Sequence, residues 1–270
     1  MRIDRSMSAG NKRTLLLSLV VTAVLSLIPI SSHATIFWTD EWEAGNSGYG
    51  LPAGFSYDTN IKVSGNGSVR LDYPPICEPA TFGGTGCGGF TDRGFPATST
   101  LYRRIYFRMS PGFATSIDTF TKMFRSDTTG PTSNWWMMGQ GNGVVGGKQW
   151  IVGDQNVPIG ETATRWSSFI FRDATWYCLE TMEQLNTPGV ANGLQRAWVD
   201  GRLVMDLNNV PYRAAGDNSL YVNNRMYRQT GVGSIWYDSL AVGNSRIGCL
   251  GSVPAGDSTP PAPPVGLFAR

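Results

Sequence analysis

Hydrophobic and polar residues alternate with a period of two along much of this chain. In TLYRRIYFRM, from Thr100 to Met109, the alternation puts Ile105, Phe107 and Met109 on one face of a strand. Tyr102, Arg104, Tyr106 and Arg108 fall on the other. The stretch WYCLETMEQ carries Trp176, Cys178, Glu180, Met182 and Gln184 on one face and Tyr177, Leu179, Thr181, Glu183 and Leu185 on the other. Beyond the turn residues NTPGVANG, Arg196 and Trp198 alternate against Ala197 and Val199, and Asp200-Gly201 predicts a tight hairpin turn.

Further strands are expected at Ile61 to Val63, Gly67 to Tyr73, Thr119 to Phe124, Trp135 to Met138, Lys148 to Val152, Ser167 to Phe171, Arg202 to Asn208 and Ser234 to Val242. Between them stand turn formers such as Ser64-Gly65-Asn66-Gly67, Pro111-Gly112 and Asp127-Thr128-Thr129-Gly130. Roughly ten short strands with few helical signals predict an all-β, two-sheet antiparallel β-sandwich of the jelly-roll type. Trp135 and Trp136 must point to opposite faces of an extended segment, so one of them belongs to the core.

The ends of the chain are of different composition. Arg2, Arg5, Lys12 and Arg13 precede an apolar run from Leu15 to Ile30 that closes on Ser32-His33-Ala34. Residues 1–34 are therefore expected to be a secretory signal peptide, cleaved after Ala34. Residues 35–252 would form the sandwich, and 253–270, with PAGDSTPPAPP, a Pro-rich linker or tail. The expected location is secreted or extracellular, the periplasm included.

Cleavage changes the chemistry on offer. It leaves 18 basic against 19 acidic residues, a net charge of about −1, which excludes nucleic acid and, after cleavage, a membrane as partners. His33 is the sole histidine and leaves with the signal, so neither an imidazole base nor a serine-type triad is expected. Cys77, Cys87, Cys178 and Cys249 allow three pairings, of which Cys77 with Cys87 and Cys178 with Cys249 are expected. No C-x-x-C pair supports zinc. A monomer is expected.

Across FWTDEWEAG, VSGNGSVRLDYP, LYRRIYFRMSPGF, the stretch from Trp176 to Gly201, and WYDSLAVGNSRIG, the chain resembles concanavalin A-like jelly rolls, and among them secreted polysaccharide-lyase-like domains. The resemblance implies a curved sheet whose concave face accepts a glycan, often an acidic one. It departs from that group at Met182, where a histidine often stands.

On this reading Tyr102, Arg108, Lys148, Trp176, Glu180, Gln184, Arg196 and Trp198 are the expected substrate contacts, since arginines grip carboxylates in bidentate fashion and aromatic rings stack on sugars. Hydrolysis would need two carboxylates on one face, and Glu180 and Glu183 point oppositely. β-Elimination needs a group that neutralises a uronate, a base and an acid; Arg104, Tyr106 and Lys122 are the expected set. No cofactor is required by this chemistry. Glu41, Glu43 and Asp238 are candidates for a structural calcium, because first and last strands of jelly rolls lie together. The sequence leaves open a lyase, a non-catalytic glycan-binding or surface-attachment module, and a purely structural domain.

Overall fold

The computed structural model describes residues 35–43, 51, 54–73, 90–115, 120–130, 133–139, 148–155, 165–227 and 231–251. The signal segment, the Pro-rich tail and the expected Cys77–Cys87 bond lie outside these residues.

The strands, in chain order, are β1 (Ile36–Asp40), β2 (Phe55–Asp58), β3 (Ser68–Tyr73), β4 (Phe90–Thr98), β5 (Thr100–Met109), β6 (Ala114–Thr115), β7 (Phe120–Thr128) and β8 (Ser133–Gly139). They continue as β9 (Lys148–Gln155), β10 (Arg165–Phe171), β11 (Trp176–Gln184), β12 (Gly193–Val199), β13 (Arg202–Val210), β14 (Tyr221–Tyr227) and β15 (Gly231–Gly243). A larger sheet of nine strands runs β13-β12-β11-β5-β15-β3-β2, with β1 and β6 also paired to β15. A smaller sheet of six runs β10-β9-β8-β7-β14-β4. All pairings are antiparallel.

Alternation on β5 and β11 does what the pattern dictates. Leu101, Ile105, Phe107 and Met109 join Tyr177 and Leu179 in the core, facing Phe124, Trp136, Met138 and Met226 from the smaller sheet. Of the tryptophan pair, Trp136 is the core member. The register sets Arg108 opposite Trp176, Tyr106 opposite Cys178, Arg104 opposite Glu180 and Tyr102 opposite Met182. The β12–β13 hairpin turns at Asp200 (φ 50°) and Gly201 (φ 80°), the paired positive-φ geometry an Asp-Gly turn supplies.

Two differences from the sequence pattern bear on function. Ile61 to Val63 is a bend rather than a strand, held by Ser68 Oγ donating to Ile61 O at 2.6 Å. β4 and β14 were not expected at all. β4 tolerates Gly94 and Pro96 because it is the last strand of its sheet, where proline forfeits no ladder bond.

The sandwich interior is not wholly apolar. Arg103, on the inward face of β5, donates to Asn224 Oδ1, to Thr181 Oγ1 at 3.2 Å and to Ser126 Oγ at 2.8 Å. Glu183 accepts from Ser126 Oγ at 2.8 Å, from Asn134 Nδ2 at 3.0 Å and from the Trp136 indole. These bonds join β5 and β11 of the larger sheet to β7, β8 and β14 of the smaller one.

Candidate functional site

The outward row expected to face a glycan lies on the larger sheet, and its centre is covered. Residues 246–250 cross it as a strap. Glu180 accepts the backbone N–H of Ile247 at 2.6 Å and of Gly248 at 3.2 Å. The Tyr106 hydroxyl accepts the N–H of Leu250 at 2.7 Å, Arg246 lies 4.7 Å from the Trp198 ring centroid, and Cys178 is bonded to Cys249. Tyr102, Met182 and Trp198 form a small buried apolar cluster with Ile247 against them.

Arg104 is likewise committed. A bulge between Asp238 and Ala241 sets Ser239 at a positive φ of 46°, and the guanidinium donates to Ser239 O at 3.1 Å and Ser239 Oγ at 2.8 Å. Burial lowers the Arg104 pKa, offset in part by Glu41 and other nearby groups, and burial raises that of Tyr106. Arg196 is paired with Asp206 at 2.8 Å, and Gln184 lies at the end of β11. Of the predicted contacts on this face, Arg108 and Trp176 stand beyond the strap, half-buried. The expected trio of Tyr106, Arg104 and Lys122 does not assemble, because Lys122 belongs to β7 in the opposite sheet, as Lys148 does on β9.

Glu41, Glu43 and Asp238 surround the 63–66 bend, where each accepts protein hydrogen bonds. Asp238 takes the N–H groups of Val63 at 2.6 Å and Ser64 at 3.0 Å, Glu41 the hydroxyls of Ser64 and Ser239, and Glu43 the N–H of Asn66. These hydrogen bonds make the carboxylates caps for the bend; among the described residues no three acidic, histidine or cysteine side chains gather as a metal site requires.

The outer face of the smaller sheet holds a group of residues that the sequence pattern did not single out. On β14, Tyr221 and Met226 enter the core and Asn224 meets Arg103, so Asn223, Arg225 and Tyr227 take the other face. The register places Arg225 between Asp92 of β4 and Arg125 of β7, and Asn223 beside Asp127. Arg225 Nη2 lies 3.3 Å from Asp92 and 3.2 Å from Asp127, and its Nη1 donates to the Tyr227 hydroxyl at 3.4 Å. Arg125 pairs with the same Asp127, which also accepts from Asn223 Nδ2 at 3.3 Å.

Two arginines directly opposite each other on neighbouring strands repel, a cost that an ordinary solvated face avoids. Here Asp127 lies between them and offsets it. Burial alone would lower the Arg225 pKa, but the Tyr227 hydroxyl and the charges of Asp127 and Asp92 outweigh it and raise the pKa. The guanidiniums remain reachable: the side chains of Arg225 and Arg125 are 23% and 26% exposed. Beneath them, Asn224 and Ser126, the inward neighbours of Arg225 and Arg125, are held by Arg103. The face thus offers two anchored cations and an amide to an anionic ligand, with the Tyr227 phenol buried beside Arg225.

The strands carrying this group were hard to read. YVNNRMY lacks an apolar alternation, and Asp92, Arg125 and Arg225 are far apart in sequence. The one signal available was a cluster of polar and aromatic residues, Asn223 to Tyr227, where a loop would have had glycine or proline.

No family model and no curated protein matches the sequence. Solved structures do match the fold. An endo-β-1,4-glucuronan lyase from the fungus Trichoderma reesei superposes with a TM-score of 0.55 at 15% identity, covering 78% of this chain and 96% of that one. The chain has the concanavalin A-like jelly-roll fold of such lyases. An alginate lyase in complex with an alginate tetrasaccharide gives 0.52 at 15% identity, covering 79% and 97%. A carbohydrate esterase from the Shiga toxin-encoding bacteriophage phi24B gives 0.53 at 12% identity, covering 79% and 100%.

Among the described residues no helix is long and apolar enough to cross a membrane. The Cys178–Cys249 bond is of a kind that oxidising compartments sustain.

Proposed function

We propose that this protein is exported and binds an acidic, uronate-containing polysaccharide on the outer face of its smaller sheet, cleaving it by β-elimination. The observation that carries the reading is the presence of Arg225, Arg125, Asn223 and Tyr227 side by side on that face. The likeness in fold to glucuronan and alginate lyases supports the substrate class.

The chemistry follows from what each group can do. Arg225 or Arg125, aided by Asn223, neutralises the uronate carboxylate, which makes the adjacent C–H more acidic. A base removes that proton, the electron pair forms the new C=C bond, and the glycosidic C–O bond on the next carbon breaks. The leaving oxygen takes a proton. Tyr227, within reach of the Arg225 guanidinium, can serve as acid or base. Lys122 and Lys148, on the same sheet, remain in this proposal as candidates for the complementary role.

A second reading, a glycan-binding module without catalysis, is favoured by the sharing of Asp127 between both arginines, which partly satisfies them without substrate. The purified protein incubated with polyglucuronate, alginate and a neutral polysaccharide separates the two. Growth of the ultraviolet absorbance of an unsaturated uronate, absent in Tyr227→Phe or Arg225→Ala, supports the lyase. A flat trace with the polymer retained supports the module, and neither result on any acidic polymer removes both.

A further inference from the structure

The larger sheet keeps one partly exposed row beyond the strap, with Trp236 buried between its arginine neighbours, and it is not built like a solvated surface. Its register runs Trp176 of β11, Arg108 of β5, Trp236 of β15 and Arg70 of β3, with consecutive members directly opposite on adjacent strands. Four strands spaced by about 4.8 Å give a row roughly 14 Å long. The guanidinium carbons of Arg70 and Arg108 lie 5.4 and 5.5 Å from the Trp236 ring centroid. The Trp236 indole is itself fixed, donating to Asp58 Oδ2 at 2.7 Å.

The charges in the row are unevenly satisfied. Arg70 has Asp72 at 2.7 Å, whereas Arg108 has no carboxylate partner among the described residues. Stacking against an indole holds a guanidinium plane in place while leaving its N–H edge free for a bidentate acceptor. Trp176, on the other side of Arg108, has no hydrogen-bond or ring partner among the described residues and is half-buried, an apolar face of the size of a sugar ring. Leu250, where the strap ends, contacts Tyr106 in the next row and so borders the platform.

We infer that Trp176, Arg108, Trp236 and Arg70 form a second, non-catalytic contact surface for a carboxylate-bearing polysaccharide, on the face opposite the reacting one. Arg108 takes the uronate carboxylate, and Trp176 the apolar face of a neighbouring sugar. Its effect is to hold a long polymer while another part of it, or another chain, occupies the smaller sheet, so the gain is in retention of long substrates rather than in turnover of short ones.

The test is affinity electrophoresis of the purified protein through gels containing alginate, polyglucuronate or a neutral polysaccharide. It is run on wild type, Arg225→Ala, and Arg225→Ala combined with Arg108→Ala or Trp176→Ala. Arg225→Ala is expected to weaken retention by an acidic polymer without abolishing it, and either added substitution to weaken the remainder about tenfold. Arg108→Lys keeps the charge and most of the stem, so it guards against misfolding; it is expected to lose retention in part, because an ammonium lacks the stacked fork.

Complete loss in Arg225→Ala alone overturns the inference, as does unchanged retention in the double variants. Equal retention by the neutral polymer overturns it too. A wild type that forms no unsaturated product but shows the expected pattern of retention strikes the reaction assigned to the smaller sheet and leaves this row standing.

Discussion

Arg103 of β5 and Glu183 of β11 face each other inside the sandwich, with Nη1 and Oε1 3.7 Å apart and each side chain 1% exposed. An isolated charge at that depth would cost several kcal/mol, so each must be paired and hydrogen-bonded to be tolerated. Most of the bonds that achieve this come from Ser126, Asn134, Trp136 and Asn224 of the smaller sheet, with Thr181 of β11 adding one. The pair therefore registers one sheet on the other beneath Arg125 and Arg225.

Removing one partner is expected to be worse than removing both. Glu183→Gln or Arg103→Met should destabilise the fold by about 3–5 kcal/mol, since the other charge stays buried and uncompensated. The double variant Arg103→Met with Glu183→Leu should cost less than either single one. Urea denaturation measures all three, and additive losses would argue against the coupling.

The strap gives a prediction about redox. Cys178–Cys249 closes a loop with a sequence separation of 71, for which the chain-entropy account gives about 4 kcal/mol. Cys249→Ser should lower stability by up to that amount. It should also loosen Ile247 and Leu250 from Glu180 and Tyr106, seen as amide exchange at residues 247–250 that accelerates more than that of the core amides.

Catalysis predicts a specific pattern of loss. Tyr227→Phe should reduce the rate of unsaturated-product formation about 10²- to 10⁴-fold, the range for a positioned acid or base. Tyr106→Phe should leave that rate near wild type, because its hydroxyl is occupied by Leu250 on the other sheet. The reverse order of effects would move the reaction to the larger sheet.

Asp238 sets a pH dependence. Burial raises its pKa above the ordinary 3.8, against the opposing hydrogen bonds from Ser64, Val63 and Ser239. The native state then holds this proton more tightly than the unfolded chain. Its contribution to stability is full below 3.8 and is lost as pH rises through the native value. Carboxyl NMR titration should give a midpoint above 3.8 for Asp238, and a lower one would contradict the assignment.

Asp58 provides the opposite sign. Burial pushes its pKa up, but the Trp236 indole and the N–H groups of Asn60 and Ile61 together hold it below 3.8. Its stabilisation is present above 3.8 and is lost as pH falls through the native value. Trp236→Phe should move its titration midpoint back towards 3.8.

The sequence by itself determined the two-sheet architecture, the faces of β5 and β11, and the opposite orientation of Glu180 and Glu183, because side-chain direction in a strand depends only on parity along the chain. It also led to the expected pairing of Cys178 with Cys249, from among three possible connectivities. Parity does not say what lies over a face. Only the tertiary structure decided that Glu180, Tyr106 and Trp198 are covered, since the strap that meets them begins at Arg246, far along the chain. The same holds for Arg125 and Arg225, which become neighbours solely through the pairing of β7 with β14. The inward turn of Arg103 likewise makes sense only with partners drawn from two strands of the opposite sheet. Local pattern fixes orientation; long-range pairing fixes company, and the chemistry of a site depends on company.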